Sequence, residues 1–195
     1  VSAAFRDAGS ATNPQGREGL AIMLGGLMNE GAGDMDAAAF KRALESHAIS
    51  FGTSADTDAF YLAFSALSEH KDEAFRLAAL ALSSPRFDGD AVERVRSQML
   101  VAQKQIEEDP ESTAGVLFNE LAFPGHPYGR REYGSVESVS AITRDDLTGF
   151  IAARFARDNL FITVVGDITA EELGARLDQL FGGLPANATP HGLSD

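Results

Sequence analysis

The stretch GLAIMLGGLMNEG, residues 19–31, decides the fold of this chain. Its apolar residues run through several helical turns, and Gly31 stands where such a helix would stop. Gly25 and Gly26 are the odd choice within it. Each mid-helix glycine costs about 1 kcal/mol relative to alanine. Ile22, Gly25 and Gly26 share one face through i, i+3 and i+4 spacing. Close approach of another backbone is the structural reading of the glycine pair; direct contact with a substrate is the functional one.

Around this helix the chain has 195 residues, 44% of them hydrophobic, with 13 Phe, enough to bury a real core. The net charge of −13, from 29 acidic and 16 basic residues, argues against nucleic-acid and anionic-membrane partners. It leaves a basic partner or substrate open, although excess acid also serves solubility. No apolar run reaches the roughly 18 residues that a membrane span needs. With no cysteine, disulfides, thiolate zinc sites and cysteine nucleophiles are excluded.

Outward from residues 19–31, VSAAFRDAG predicts a strand and SATNPQG a polar loop, with the helix running from about Arg17 to Asn29. MDAAAFKRALESHA predicts a second helix. SFGTSA and AFYLAFSAL are strand-like runs around a turn at Asp56, Thr57 and Asp58. Helices follow over Lys71 to Leu82, Asp88 to Glu108 and about Pro110 to Ala122. FPGHPYGRREYG is a Pro/Gly-punctuated loop. A helix starts at Thr143, FITVVGD predicts a short buried strand, and TAEELGARLDQLFGGL predicts a final helix. That last helix carries an N-cap at Thr169, a capping box completed by Glu172 and a stop at Gly182. Strands and helices mix without βαβ alternation. The expected class is α+β: two layers, helices packed on one face of a mainly antiparallel sheet.

Few residues point to chemistry by themselves. His47, His70, His126 and His191 have no second histidine at zinc-pair spacing. His126 in PGHPYGR reads as a hydrogen-bonded loop residue rather than a base. The nucleophile-elbow and phosphate-loop signatures are absent. Asp56 with Asp58, and Glu107, Glu108 and Asp109, read as solvated carboxylates rather than a general acid/base pair.

PQGREGLAIMLGGLMNEGAGDMDAAAF resembles the first helix region of the M16 zinc peptidases, the insulinase, pitrilysin and mitochondrial-processing-peptidase group. Active members read roughly G-L-A-H-x-x-E-H-L-M-x-x-G here, with two zinc-binding histidines and a glutamate that polarises the attacking water. Gly19, Leu20, Ala21, Leu27, Met28 and Gly31 match. The first histidine falls on Ile22, the glutamate on Gly25 and the second histidine on Gly26. SSPRFDGDAVERVRSQ resembles the family segment that precedes the third zinc ligand, which falls near Ala102, between Val101 and Gln103. FPGHPYGR, GSVESVSAITRDDLTGF and DNLFITVVGDIT are similar to the family pattern as well.

The resemblance implies a LuxS/MPP-like metallopeptidase-type domain over residues 1–183, with upstream strands missing, and a linker over 184–195 toward a second M16-like domain. It implies no catalytic residue, no metal ligand and no cofactor in this chain, and zinc only in a partner subunit. The expected function is non-catalytic: helping a zinc-motif M16 subunit, or a second M16-like domain, to form a peptide-binding and processing chamber. The alternatives are a structural assembly subunit with no substrate contact and, remotely, an active zinc metallopeptidase. In the family, substrate peptides add as a strand to a sheet edge, which here corresponds to Ser50, Phe51, Gly52, Thr53, Ser54 and Ala55. The HPYGR and GDIT wording is similar to bacterial members, which are periplasmic or cytoplasmic.

Overall fold

The computed structural model describes residues 1–191. β1 (Ser2–Arg6) leads through a short 3-10 turn, Ser10–Thr12, into α1 (Leu20–Leu27). A small hairpin of β2 (Gly31–Ala32) and β3 (Met35–Asp36) precedes α2 (Ala37–Ser46), β4 (Ser50–Ala55) and β5 (Ala59–Ser65). Then come α3 (Lys71–Ser83), α4 (Gly89–Glu108), α5 (Pro110–Ala122), the 3-10 turn Pro127–Gly129 and α6 (Val136–Ala141). α7 (Arg144–Arg154), β6 (Leu160–Thr163) and α8 (Ala170–Phe181) complete the order.

The main sheet runs β4-β5-β1-β6, antiparallel throughout. Period-two alternation divides its faces. Ala3 and Phe5 of β1, with Phe60, Leu62 and Phe64 of β5, are buried, whereas Ser2, Arg6, Ala63 and Ser65 are exposed. α1 lies across β4, and α4 lies across α1. Phe155, which follows α7, stacks on Phe5 with ring centroids 4.4 Å apart and tilts against Phe60 at 4.8 Å. The chain is therefore α+β, two-layered, with one sheet face open.

Local chemistry explains why the segments start where they do. Asp36 accepts the Ala39 N–H at 2.7 Å and caps α2. Pro110 opens α5 after Asp109, whose carboxylate accepts the Ser112 N–H at 2.8 Å. Thr143 and Asp146 form a reciprocal capping box on α7. Arg17 Nε donates to the same Asp146 oxygen at 2.9 Å, so the lead-in to α1 is fastened to α7.

That oxygen also accepts from Thr143 N and Thr143 Oγ1 at 2.8 and 2.7 Å. Burial alone would raise the Asp146 carboxyl, but the bonds from Thr143 and Arg17 outweigh it and hold its pKa below the ordinary value. A depressed folded pKa contributes stability above the unfolded value and loses it as pH falls through the folded one. Asp146→Ala should therefore cost about 2 kcal/mol at neutral pH. In urea titrations the gap to wild type should close below about pH 3.9. A penalty independent of pH would contradict the assignment.

Several expectations change. FITVVGD is not buried: β6 ends at Thr163, Phe161 is 54% and Val165 90% exposed, because β6 is an outer strand with an open face. The capping box of α8 is half formed. Thr169 accepts the Glu172 N–H at 3.2 Å, but the Glu172 carboxylate turns instead to Lys71 and Arg176, both at 2.9 Å. α8 does stop at Gly182, its C-cap, but in right-handed conformation rather than through the left-handed turn common at a glycine stop. Of the linker expected over 184–195, residues 192–195 lie outside the described residues. Before them, Pro185 and Ala186 accept the N–H groups of Arg157 and Asp158, and Thr189 N donates to Ala153 O at 2.8 Å. Among the described residues no helix is long and apolar enough to cross a membrane.

Candidate functional site

α1 begins at Gly19, whose φ of 96° suits glycine far better than other residues. Asn13 Oδ1 accepts the Ala21 N–H at 3.0 Å, so a side chain eight residues upstream satisfies a first-turn donor of the helix. The two central glycines then play different parts. Gly25 is buried, and a Cβ there would lie 3.1 Å from Ser54 Cα and 3.3 Å from Ser54 C. Gly26 is exposed, and its Cβ would meet the Val95 side chain on α4, with Cγ1 at 3.0 Å and Cγ2 at 3.9 Å. Thr53 Oγ1 donates to Gly25 O at 2.7 Å and fastens β4 to the helix. Close backbone approach thus accounts for Gly25, and less so for Gly26.

The positions that the resemblance assigns to zinc chemistry offer no donor atom. Ile22 is half-buried hydrocarbon, Gly25 and Gly26 lack side chains, and Ala102 on α4 ends in a methyl. Beside it, Val101 points to solvent, and the Gln103 side chain is buried and donates to Tyr133 O at 2.7 Å. Among the described residues no three His, Asp or Glu side chains gather closely enough to hold a metal ion. A zinc ion requires several donors on one face. The residues present do not fit one.

Next to this donor-free face, β4 forms the outer strand of the sheet, paired among the described residues with β5 alone. The Asp56 N–H donates to Ala59 O at 3.0 Å, which sets the ladder's phase. Counting back by two, residues 50, 52 and 54 bond toward β5, and Phe51, Thr53 and Ala55 turn their N–H and C=O groups to the outer edge. Ser50, Gly52 and Ser54 alternate with them on the open face of the sheet. The Phe51 ring packs edge-on against Phe40, centroids 5.9 Å apart, which anchors the strand to α2.

A second feature was invisible in the motif pattern. A cleft of about 530 Å³ opens between α4, α5 and the loop after Pro127, with Ser10 and Thr57 on its far wall. Tyr128 OH donates to Asp58 Oδ1 at 2.6 Å, which ties that loop to the β4–β5 turn and holds the phenol above its ordinary pKa. Asp56 is not merely solvated either. Burial would raise its carboxyl, but bonds from Ala59 N–H, Tyr61 OH and Asp58 N–H prevail and lower it. Glu132 lines the cleft with no ion pair or hydrogen bond among the described residues. Burial, and then the charge of Asp56, push its carboxyl above the ordinary value. His126 is the loop histidine expected: its Nδ1 accepts the Tyr128 N–H at 3.2 Å.

Comparison with known proteins now bears on this geometry. Residues 4–134 match the model of the insulinase family, peptidase family M16, and residues 141–194 match that of the peptidase M16 inactive domain. The chain is 31% identical over 185 residues to the Helicobacter pylori protein named non-peptidase homolog YmxG, covering 95% of this chain and 43% of that protein. It is 30% identical over 107 residues to a probable mitochondrial-processing peptidase subunit beta of Schizosaccharomyces pombe, covering 55% of this chain and 23% of that one. A crystal structure of the peptidase M16 inactive domain from Pseudomonas fluorescens superposes with a TM-score of 0.92 at 26% identity, over 100% of this chain and 47% of that chain. Pitrilysin shares the fold, with a TM-score of 0.79 at 19% identity over 97% of this chain and 21% of that one. The chain spans less than half the length of these relatives. With the family model matched from β1 to the loop before α6, on a helix that keeps the motif's frame and lacks its donors, this chain belongs to the M16 peptidase family.

Proposed function

We propose that this chain is a non-catalytic M16 domain that forms one wall of a peptide-binding chamber, with the zinc and the catalytic glutamate supplied by a partner subunit or a second M16-like domain. The observation that carries the reading is the pairing of a donor-free α1 face with an open strand edge. The residues that would hold metal are Ile22, Gly25, Gly26 and Ala102, while the neighbouring β4 offers the outward main-chain groups of Phe51, Thr53 and Ala55. An extended peptide can add to such an edge without any catalytic side chain from this domain. The name of the Helicobacter relative, a non-peptidase homologue, supports the same reading. No cofactor of its own is required.

Thr53→Pro tests the edge. It removes one outward N–H and leaves the ladder to β5 intact, a substitution that edge strands tolerate. Peptide affinity of the assembled complex should fall about fivefold, the value of one main-chain hydrogen bond of about 1 kcal/mol. Thr53→Val is the control: it loses the hydroxyl bond to Gly25 O but keeps the N–H, and its peptide affinity should stay at the wild-type level. Unchanged affinity in Thr53→Pro would remove β4 from the peptide site.

A further inference from the structure

α5 is amphipathic the wrong way round. Ala114, Leu117, Phe118 and Leu121 recur at i, i+3, i+4 and i+7 and form one apolar stripe. That stripe faces outward: Leu117 is 49%, Phe118 67% and Leu121 81% exposed, and no residue of α5 is buried. The opposite side of the helix, with Ser112, Gly115 and Asn119, lines the cleft. Phe123 continues the exposed apolar surface beyond the helix, its ring 5.7 Å from that of Tyr128. A surface helix ordinarily turns such a stripe into the core, so a contiguous exposed one marks a contact surface.

The charges around the stripe select its occupant. Glu107, Glu108, Asp109, Glu111 and Glu120 flank it at the α4–α5 junction and along α5. Of the nearby cations, Lys104 is 3.7 Å from Glu108, and Arg131 is 3.6 Å from Glu107 and 3.2 Å from Glu120. The rim therefore keeps an acidic excess. A second copy of this chain would bring the same rim and be repelled, and an anionic lipid surface would be repelled likewise. A protein surface with an apolar ridge edged by Lys and Arg fits both the stripe and its rim. We infer that the outward face of α5 is the docking surface for a basic-rimmed protein partner, namely the zinc-bearing M16 chain of the preceding section, on which reading this inference rests.

The test is calorimetric titration of the full-length chain against a purified M16 chain with an intact zinc motif from the same organism. It is run with wild type, with the double variant Phe118→Gln/Leu121→Gln, and with Glu108→Lys. Glutamine is a good helix former and both apolar side chains are exposed, so the double variant keeps its fold, as an unchanged melting temperature verifies. Wild type should bind, more weakly at high salt, with hydrogen-exchange protection appearing in α5. The double variant should bind at least tenfold more weakly, and Glu108→Lys should slow association. Equal affinity in wild type and double variant overturns the docking surface and leaves the chamber reading intact. Absence of wild-type binding to the zinc-motif chain overturns both. A concentration-dependent homodimer, or binding to anionic vesicles, that the double variant abolishes would assign the stripe to a second copy or to lipid and also overturn the inference.

Discussion

Gly25→Leu should destabilise the chain by about 3 kcal/mol and loosen β4 from α1. The cause is the identity of the neighbour. Even a Cβ at this position would lie 3.1 Å from Ser54 Cα, 3.3 Å from Ser54 C and 3.4 Å from Ala55 N, and backbone atoms of a paired strand cannot rotate aside. A leucine must therefore push β4 outward or shift α1, and either movement strains the Thr53–Gly25 hydrogen bond. Gly26→Ala is the contrasting case. Its Cβ meets side-chain methyls of Val95 rather than backbone, a contact that a small shift of the valine relieves, and α1 gains helix propensity worth about 1 kcal/mol, so this variant should be neutral or slightly more stable. Urea denaturation of the pair decides the matter. If Gly25→Leu were as stable as Gly26→Ala, the close approach of α1 and β4 would not be a constraint on the sequence.

The same packing bears on any attempt to rebuild a metal site. A glutamate at residue 25 would need the space that β4 backbone fills, beside two positions that supply no ligand, Ile22 and Gly26. The loss of donor atoms and the close contact of helix and strand are thus one arrangement. On that helix face Gly25 packs against the β4 backbone while Gly26 stays exposed, and the strand edge next to it keeps its free main-chain groups.

Some of this was legible in the residues. The frame of GLAIMLGGLMNEG, with Gly19 and Gly31 bracketing it, placed α1, and alternation in AFYLAFS placed β5. SFGTSA reads as a strand from its residues, and it forms β4 at one end of the sheet order. What periodicity cannot give is direction and context. FITVVGD is apolar throughout, so it read as buried, yet β6 lies at the sheet's rim and Val165 is left in solvent. The apolar stripe of α5 has ordinary helical spacing, and nothing in the spacing says that it faces out. Asp58 and Tyr128 are far apart in sequence, so the bond that closes one side of the cleft had no local signal. Glu132 likewise owes its altered acidity to burial beside Asp56, which only the folded chain provides.

A zinc-motif M16 chain cleaves peptide efficiently only when its active face is closed into a chamber, if this domain supplies the opposite wall. The decisive measurement is peptide hydrolysis by such a chain, from the same organism, titrated with the full-length protein containing this domain. The expected result is a rise from near zero that saturates at a fixed stoichiometry, while this protein alone hydrolyses nothing. A flat titration with no co-elution of the two chains would contradict the chamber role, and hydrolysis by this protein alone would contradict its being non-catalytic.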